Sequence, residues 1–410
     1  MLSVLHLSFW DNVGGSGRAA YRLHTAFRER GVRSRMLVAL KATPDPDVAT
    51  IGGPWLGRLD RLTGRLVDRT GWQYGFYPSS VLLPLFPSVR TADVVQVYNT
   101  HGGYFSHRAL TRLSRARPVV WRLSDMWAAT GHCAYAYDCE RWKTGCGACP
   151  RLDEFPPLPR DTSAQLWRAK QRIYRRSRLS LVTPSRWLAN IVKESPLLAQ
   201  FPVSVIPNGI DTDLFTPGDR TAARAALGIR SDGPVVMFSA ASLSDPRKGG
   251  PYLREAIARL PEALRLTLTL LVVGGGEWSG QDVAATKLLG SIDDDRRLAL
   301  AYAAADLYVL PTLAENLPNA ALESLACGVP VVGFDVGGVG EAIRHMETGM
   351  IVPSGRADAL SDAIRAMLES DTLRRAMSRR AREVAVTEYT AARQADAFLS
   401  LYRGLLEARQ

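Results

Sequence analysis

The sequence predicts an α/β protein made of two domains, each a doubly wound parallel β-sheet. Short apolar segments alternate with amphipathic helical segments, which is typical of parallel strands covered by helices. The alternation occurs in two separate sets, and 410 residues are too many for one ordinary hydrophobic core. We therefore expect a first domain of residues 1–213 and a second of residues 214–388.

The first set of elements opens with an apolar strand at Val4–Ser8, which leads through a glycine-rich turn into a helix. That helix, Gly17–Arg30, has apolar residues at helical spacing, with Ser16 as its N-cap and Gly31 as its stop. Short apolar runs predict the strands that follow. They are Met36–Leu40, Val94–Tyr98, Val119–Leu123, Leu179–Thr183 and Val203–Ile206.

The second set follows a strong turn signal, Pro-Asn-Gly at 207–209. Its predicted strands are Val235–Ala240, Leu268–Val273, Leu307–Leu310 and Val331–Phe334. Its predicted helices are Gly250–Arg259, Pro318–Cys327, 357–369, 371–386 and 390–408. Because parallel sheets bind ligands beyond the carboxyl ends of their strands, we expect a site in the cleft between the domains.

Composition and charge narrow the class of protein. A hydrophobic content of 46% with 22% charged residues is globular, and no run of 18 apolar residues predicts a membrane-spanning helix. The first ten residues lack the basic region of a signal peptide, so we expect a cytoplasmic protein. Residues 1–210 hold 29 Lys and Arg against 14 Asp and Glu, whereas residues 211–410 hold 22 against 26. The basic half predicts either an anionic partner or a solvated arginine-rich surface.

Two basic stretches stand out in this half, Arg58–Arg69 and the denser Leu166–Arg178. In the second stretch Trp167, Ile173 and Tyr174 interleave with the arginines, which favours a helix lying on an anionic membrane surface. A solvated helix face is the alternative. No recognised motif supports nucleic acid as a partner.

The most informative segment is PTLAENLPNAALESLACGVP at 311–330. A strand ends before it, Glu315 lies on the loop, and Pro318 suits the first turn of a helix. The backbone N–H groups at that helix start predict an anion site. Glu323 lies eight residues after Glu315, so the two carboxylates reach different parts of one ligand. A nucleoside diphosphate between two hydroxyl-bearing rings fits this arrangement.

This segment resembles the E-x7-E signature of retaining glycosyltransferases in family GT4, with Glu315 and Glu323 at the two glutamate positions. Other parts of the chain resemble the same family. They are GGSGRAAYRL at 14–23, VTPSRWLA at 182–189, VIPNGIDTDLF at 205–215 and RKGG at 247–250. The resemblance implies the GT-B fold, in which two Rossmann-like domains face a central cleft. It also implies that the last helix, 389–410, returns to the first domain.

The resemblance implies a nucleotide-sugar donor held by the second domain. Glu323 would accept hydrogen bonds from the ribose, Glu315 would contact the sugar, and Lys248 would face the diphosphate. The loop before the helix would hold the diphosphate through Asn316, Leu317, Pro318 and Asn319. The family has an arginine about five residues before the lysine, but Leu243 stands there, so Arg247 is the candidate substitute.

The glycine turn at Gly14, Gly15 and Gly17 formally fits the dinucleotide fingerprint. About six residues separate it from the predicted strand, and no acidic residue ends the next strand at Leu40, so an NAD site is disfavoured. The resemblance instead implies that these glycines approach the donor diphosphate. A purely structural turn is the alternative.

The expected catalytic centre departs from the family. The related sequences have a histidine in the run W-x-L-H-D-M-W, where this chain has Ser124, which cannot replace it as a general base. Asp125 remains, His132 lies seven residues on, and His101 matches a family histidine. The resemblance implies that the leaving phosphate helps to deprotonate the acceptor. We assign catalysis to Glu315, Lys248, Asp125 and His132, and the acceptor side to His101, Ser124 and Asp125.

Four cysteines lie in the loop 131–150, at Cys133, Cys139, Cys146 and Cys149. Four thiols on a loop that ends in C-G-x-C predict a structural zinc site. Disulfides or redox thiols, and free packed cysteines, are the alternatives. Donor chemistry in the family needs no metal.

These observations together predict a retaining hexosyltransferase that uses a UDP- or GDP-sugar, without a cofactor for catalysis. We expect the acceptor to be a lipid-linked oligosaccharide of cell-surface polysaccharide biosynthesis, reached at the inner face of the plasma membrane. A soluble small-molecule acceptor, or a non-catalytic nucleotide-sugar-binding homologue, is the alternative. An NAD-dependent oxidoreductase is the weakest alternative.

Overall fold

The computed structural model describes residues 1–230, 232–279 and 283–409. The chain divides into two compact units. The first unit comprises Met1–Pro207 together with the chain from Gln394 onward, and the second comprises Asn208–Arg393. Both boundaries lie within six residues of those expected at 213/214 and 388/389.

The first unit is built on a sheet of seven strands in the order β3-β2-β1-β4-β5-β6-β7, all parallel. The strands are β1 Ser3–Trp10, β2 Arg33–Leu40, β3 Val48–Thr50, β4 Val94–Val97, β5 Val119–Arg122, β6 Leu179–Thr183 and β7 Val203–Val205. Its central strands β4 and β5 are buried along their whole length, as expected for a parallel sheet covered on both faces.

The helices of the first unit surround this sheet. They are α1 Gly14–Glu29, α2 Gly53–Arg69, α3 Pro78–Leu82, α4 Pro87–Arg90, α5 Arg108–Ala116, α6 Ser163–Tyr174 and α7 Arg186–Glu194, with 3₁₀ turns at Leu83–Leu85 and Arg141–Lys143. The chain from Gln394 onward, which includes most of the last helix, Ala391–Glu407, also belongs to this unit. There Tyr402 packs edge-on against Phe27 of α1, with ring centres 5.8 Å apart.

The second unit repeats the same topology with a sheet of six parallel strands in the order β10-β9-β8-β11-β12-β13. The strands are β8 Val235–Ser242, β9 Thr269–Gly275, β10 Ala285–Leu288, β11 Leu307–Leu310, β12 Val331–Phe334 and β13 Gly349–Val352. The remaining helices are α8 Arg220–Ala226, α9 Gly250–Ala258, α10 Glu262–Thr267, α11 Asp295–Ala304, α12 Asn319–Ala326, α13 Val339–Ala342, α14 Ala357–Glu369, α15 Asp371–Glu388 and α16 Ala391–Glu407, with a 3₁₀ turn at Pro246–Lys248.

In each sheet the strand order reverses at one point, between β1 and β4 in the first unit and between β8 and β11 in the second. A doubly wound sheet opens a crevice at the carboxyl ends of the two strands that flank such a switch point. Each unit therefore has its own expected ligand position, set by topology alone. No helix in the described ranges is long and apolar enough to cross a bilayer.

The prediction of two doubly wound parallel sheets is confirmed, with one correction near the glycine turn. Strand β1 runs to Trp10 and α1 begins at Gly14, so three residues separate them where about six were expected. The first helix thus starts three residues earlier than the predicted Gly17–Arg30. Its glycines lie in its first turn rather than in a preceding loop.

Candidate functional site

The switch point of the second unit brings two polar loops together. Strand β8 leads into the 3₁₀ turn Pro246–Lys248, and its neighbour β11 leads into the loop that carries Glu315. Asp245 caps the turn by accepting the backbone N–H of Arg247 at 3.0 Å. The backbone N–H of Leu313 donates to the carbonyl of Arg247 at 2.8 Å, which fixes one loop against the other.

An ion cluster forms where these loops meet. The ammonium of Lys248 lies 2.7 Å from Oε2 of Glu315, and Nη1 of Arg247 lies 3.3 Å from the same oxygen. Arg247 also donates to the carbonyl of Ala314 at 2.9 Å. Burial alone would raise the pKa of Glu315, but the charges of Lys248 and Arg247 and the hydrogen bond from Lys248 outweigh it and lower that pKa to about 2. The carboxylate is therefore ionised at neutral pH.

The same loop continues into the start of α12. Pro318 is the N-cap of this helix, and its side chain makes no capping hydrogen bond to the N–H groups of the first turn. Asn316 and Leu317 are buried just before it. Asn208 fixes this turn, because its amide Nδ2 donates to the carbonyl of Leu317 at 3.1 Å and to Oδ1 of Asn319 at 2.7 Å. In the sequence, Asn208 belongs to a Pro-Asn-Gly turn signal, which does not reveal this role.

Glu323 lies within α12 and is buried, with 4% of its surface exposed. Its Oε2 accepts a hydrogen bond from the hydroxyl of Tyr302 at 3.1 Å. Burial and the carboxylate raise the pKa of Tyr302 well above its ordinary value, so this phenol stays a donor. The sequence offered no sign of Tyr302, because its helix α11 and α12 meet only in the folded unit.

The switch point of the first unit also collects predicted residues. Gly14, Gly15 and Gly17 form the first turn of α1, directly after β1. A Cβ on Gly17 would lie 3.1 Å from Cβ of Trp10, so the helix approaches the strand end too closely for most larger residues. Gly14 has φ of +68°, a conformation that favours glycine.

Ser124 follows β5, and its hydroxyl lies 3.3 Å from that of Ser16 in the first turn of α1. Arg122, the last residue of β5, is buried and donates to Ser124 Oγ at 3.4 Å. Its guanidinium carbon lies 5.8 Å from the centre of the Tyr98 ring. Arg122 was not among the predicted site residues. A charged residue at the end of an otherwise apolar strand could have indicated it.

His101 and Asp125 form a buried pair beside this turn. Nε2 of His101 lies 2.8 Å from Oδ2 of Asp125, and both side chains are about one-tenth exposed. The other carboxylate oxygen accepts the backbone N–H of Trp127 at 2.9 Å, and the Trp127 ring meets the imidazole edge-on at 5.5 Å. The carboxylate thus orients the ring.

His132 is held differently from His101. Its Nδ1 lies 3.0 Å from the carbonyl oxygen of Pro156, and its Nε2 lies 3.3 Å from the sulfur of Cys149. Burial lowers the pKa of His132, so the ring is neutral. The assignment of His132 to catalysis stays a prediction, and these contacts favour a structural role in the cysteine loop.

The four loop cysteines line one small cavity of about 20 Å³, which has room for about one water molecule. In the part of the chain that is described, no group of three or more His, Cys, Asp or Glu side chains is arranged to hold a metal ion. Burial raises the pKa of Cys133 to about 12 and that of Cys146 to about 11, so both are thiols in the metal-free loop. The described residues therefore do not support the zinc prediction for Cys133, Cys139, Cys146 and Cys149: all four are free cysteines, and Cys133, Cys139 and Cys146 pack against the hydrophobic core.

Helix α6 corrects a second prediction. Trp167 and Tyr174 of the basic stretch Leu166–Arg178 are buried in the core and do not face solvent between the arginines. Lys170 is buried too, donating to the carbonyls of Trp127 at 2.5 Å and Thr130 at 3.0 Å. Burial lowers the pKa of Lys170 to about 7. This helix anchors the segment after Asp125 and presents no apolar side to a membrane.

Two family models match the chain. The model "Glycosyltransferase Family 4" matches residues 13–214, and "Glycosyl transferases group 1" matches residues 219–384. The two matches follow the two units and together span most of the sequence. The chain belongs to glycosyltransferase family 4. This membership confirms the family resemblance that the sequence suggested.

Comparison with individual proteins supports the family and the fold. The chain is 37% identical over 181 residues to a D-inositol 3-phosphate glycosyltransferase of Mycobacteroides abscessus, a match that covers 40% of this chain and 39% of that protein. Its structure resembles sucrose-phosphate synthase from Thermosynechococcus elongatus with a TM-score of 0.73 at 20% identity, covering 99% and 100% of the two chains. It also resembles Anabaena Alr3699/HepE in complex with UDP-glucose, with a TM-score of 0.70 at 17% identity over 98% and 100%. This family-4 chain therefore has the GT-B fold.

Proposed function

We propose that this chain is a retaining glycosyltransferase that moves a sugar from a nucleoside-diphosphate donor to a hydroxyl acceptor. The observation that carries the proposal is the ion pair of Lys248 and Glu315, whose side chains are 21% and 16% exposed, at the switch point of the second unit, beside the start of α12. A cation, a carboxylate and the N-terminus of a helix converge there. A doubly wound sheet places its ligand at that point.

Lys248 and α12 would act on the diphosphate. As the bond between sugar and phosphate breaks, negative charge grows on the departing nucleoside diphosphate. A lysine ammonium and first-turn N–H groups stabilise such charge without any metal ion. Arg247, held by Ala314 and Glu315, supplies a second cation in place of the family arginine that Leu243 replaces.

The two glutamates would hold the two rings of the donor. Glu315 is ionised and faces the same loops as Lys248, so it suits the hydroxyls of the transferred sugar. Glu323 lies eight residues on within α12, and its carboxylate suits the ribose. The Tyr302 hydroxyl holds one oxygen of Glu323 and so fixes the orientation of the carboxylate.

The first unit would bind the acceptor. The His101–Asp125 pair would orient the attacking hydroxyl, and Ser124 and Ser16 offer further hydroxyl contacts. The glycine turn of α1 would offer backbone N–H groups to a phosphate. The acceptor oxygen would form its bond on the face of the sugar from which the phosphate leaves, so the configuration would be retained. The leaving phosphate would take the acceptor proton.

Uridine diphosphate is the donor nucleotide that we favour, since HepE, a protein of the same fold, was solved with UDP-glucose. For the acceptor we propose a lipid-linked glycan at the inner face of the plasma membrane. The basic first half of the chain supports this acceptor.

A soluble acceptor is the second candidate. A relative that is 37% identical over 181 residues supports this candidate, because it is a D-inositol 3-phosphate glycosyltransferase. The same positive charge on the first half would suit a phosphate-bearing small molecule.

The experiment is a thermal-shift panel of UDP, GDP, ADP and NAD, followed by hydrolysis of the matching sugar nucleotide without acceptor. A ligand at 100 times its dissociation constant stabilises its protein by about 2.7 kcal/mol. We expect UDP to stabilise the wild type, and Lys248→Ala to lose both the shift and the hydrolysis. Lys287→Ala, on edge strand β10 of the same unit, is the matched control and should keep both. Stabilisation by NAD alone, or by no nucleotide, would overturn the proposal.

A further inference from the structure

Helix α2 of the first unit turns a row of large apolar side chains toward solvent. Trp55 is 81% exposed, and Leu59, Leu62 and Leu66 are 44%, 59% and 55% exposed. Leucine and tryptophan side chains that recur every three or four residues along a helix are normally buried by a neighbouring element. We call these four residues the α2 stripe.

Helical geometry places the α2 stripe on one face of the helix. Its members follow one another at intervals of four, three and four residues, which brings them to the same side. The opposite side is buried against the unit. There Asp60 accepts the backbone N–H of Ser79 at 3.0 Å, and a Cβ on Gly64 would lie 2.6 Å from the ring of Tyr77. The helix is thus firmly seated with its apolar face outward.

The charged residues of α2 are also divided between the inner and outer sides of the helix. Its two carboxylates turn inward: Asp60 is buried, and Asp68 accepts the backbone N–H of Tyr74 at 3.1 Å. The arginines Arg58, Arg65 and Arg69 share one flank of the α2 stripe by their spacing of seven and four residues, and all three are exposed. The outward surface of the helix is therefore apolar in the middle and cationic along one side.

We propose that α2 lies in the surface of an anionic lipid bilayer, with the α2 stripe among the acyl chains and its arginines on the lipid phosphates. This inference rests on the proposed function, because it names the surface on which a lipid-linked acceptor would be met. Helices with such a face bind in the interfacial plane, and their affinity combines buried apolar area with attraction to anionic headgroups.

Charge decides between a bilayer and a second copy of this chain. Two copies that paired through the α2 stripe would bring two identical rows of arginines together, and like charges across an interface oppose association. An anionic bilayer offers the opposite charge to the same rows. Trp55 also suits the bilayer, since an indole favours the level of the headgroups.

Helix α6 provides a natural control for charge. Arg172 of this helix, and Arg175 and Arg176 directly after it, are exposed like the arginines of α2, but the aromatic residues beside them are buried. A purely electrostatic attraction would use both helices equally. The proposed docking requires α2, because there the cations flank an exposed apolar stripe.

The test is co-sedimentation of the full chain with vesicles of phosphatidylcholine containing one-third phosphatidylglycerol. We expect Leu59→Ser with Leu62→Ser to weaken binding by about tenfold or more, because two inserted side chains are lost. The triple change Arg58→Gln, Arg65→Gln and Arg69→Gln should weaken it by about fivefold per arginine. Leu266→Ser, at an exposed leucine of the second unit, and the triple glutamine variant of Arg172, Arg175 and Arg176 should bind like wild type.

The outcomes separate this inference from the proposed function. Loss of vesicle binding in the α2 variants, with UDP-induced stabilisation unchanged, supports the docking. Wild-type binding by the α2 variants, or equal loss in the α6 variant, overturns it, whatever the sugar-transfer assays show. A dimer in light scattering that the leucine variant dissolves would also overturn it, in favour of a second copy as the occupant.

Discussion

Gly249 lies against the carbonyl group of Pro311 so closely that a Cβ built on it would stand 1.7 Å from the oxygen. Gly249 ends the loop that follows β8, directly after Lys248, and Pro311 begins the loop that follows β11. Its φ of +73° is also one that glycine adopts without strain. The position of the Lys248 ammonium beside Glu315 therefore depends on the absence of a side chain at the next residue.

Gly249→Ala should displace the Lys248 turn and weaken nucleotide binding. The left-handed conformation costs a non-glycine residue about 1–2 kcal/mol, and the contact with Pro311 forces the backbone apart as well. We expect at least a tenfold rise in the dissociation constant for the nucleoside diphosphate, measured by isothermal titration calorimetry. Gly340→Ala is the matched control, since a Cβ there makes only an ordinary contact, 3.6 Å from Asp335. Unchanged affinity in Gly249→Ala would show that the turn does not position the site.

Much of the fold could be predicted, because local runs of sequence indicate the buried strands. The strands Leu179–Thr183, Leu307–Leu310 and Val331–Phe334 coincide with the prediction, since continuous apolar runs mark buried parallel strands. The edge strands Val48–Thr50 and Ala285–Leu288 were missed, because they are short and partly exposed and so carry little apolar pattern.

What could not be predicted depends on residues far apart in the chain. Asn208 orders the turn before α12 across more than a hundred residues, and a Pro-Asn-Gly run by itself indicates only a turn. The burial of Trp167 and Tyr174 in the second basic stretch likewise depends on long-range packing. Composition does not reveal that Trp167 is buried while Trp55 faces solvent.

The ion pair of Lys248 and Glu315 should make the stability of the second unit depend on pH. The pKa of Glu315 falls from 4.5 to about 2, so the stabilisation is fully present above pH 4.5 and is lost as the pH falls from there toward 2. Lys248→Met should lower the free energy of unfolding by about 3 kcal/mol at pH 7, because it leaves a carboxylate that is only 16% exposed without its nearest cation. The deficit should shrink below pH 4.5.

Urea denaturation followed by circular dichroism between pH 3 and 7 measures this deficit. Lys287→Met is the control for loss of a lysine from the same unit. A deficit that stays constant down to pH 3 would show that the destabilisation comes from lost packing of the lysine and not from its charge.

A pair of buried histidines should make the first unit acid-sensitive. His6 and His24 share the hydroxyl of Ser34, at 3.0 and 2.7 Å, and His6 also contacts the hydroxyl of Tyr98 at 2.9 Å. Burial lowers the pKa of both rings below 6.5, so the folded unit holds them neutral. The unfolded chain binds more protons, and stability should be full above about pH 6.5 and fall below it.

Eight of the nine tryptophans belong to the first unit, so tryptophan fluorescence during thermal unfolding reports mainly on it. His6→Gln should flatten the decline between pH 6.5 and 5, whereas His345→Gln, at an exposed position of the second unit, should leave it unchanged. An identical decline in the wild type and His6→Gln would place the acid-sensitive group elsewhere.

The loop cysteines should react with alkylating reagents in an order set by their burial. Burial raises the pKa of Cys133 to about 12 and of Cys146 to about 11, so at pH 8 each is almost wholly in the unreactive thiol form. Cys149 has a more weakly raised pKa and is less enclosed. Iodoacetamide followed by peptide mass spectrometry should therefore label Cys149 before Cys133 and Cys146, which should react at least tenfold more slowly until urea is added. Prompt labelling of Cys133 in the native protein would contradict the packing of these thiols against the hydrophobic core, because an enclosed sulfur can meet the reagent only when the loop opens.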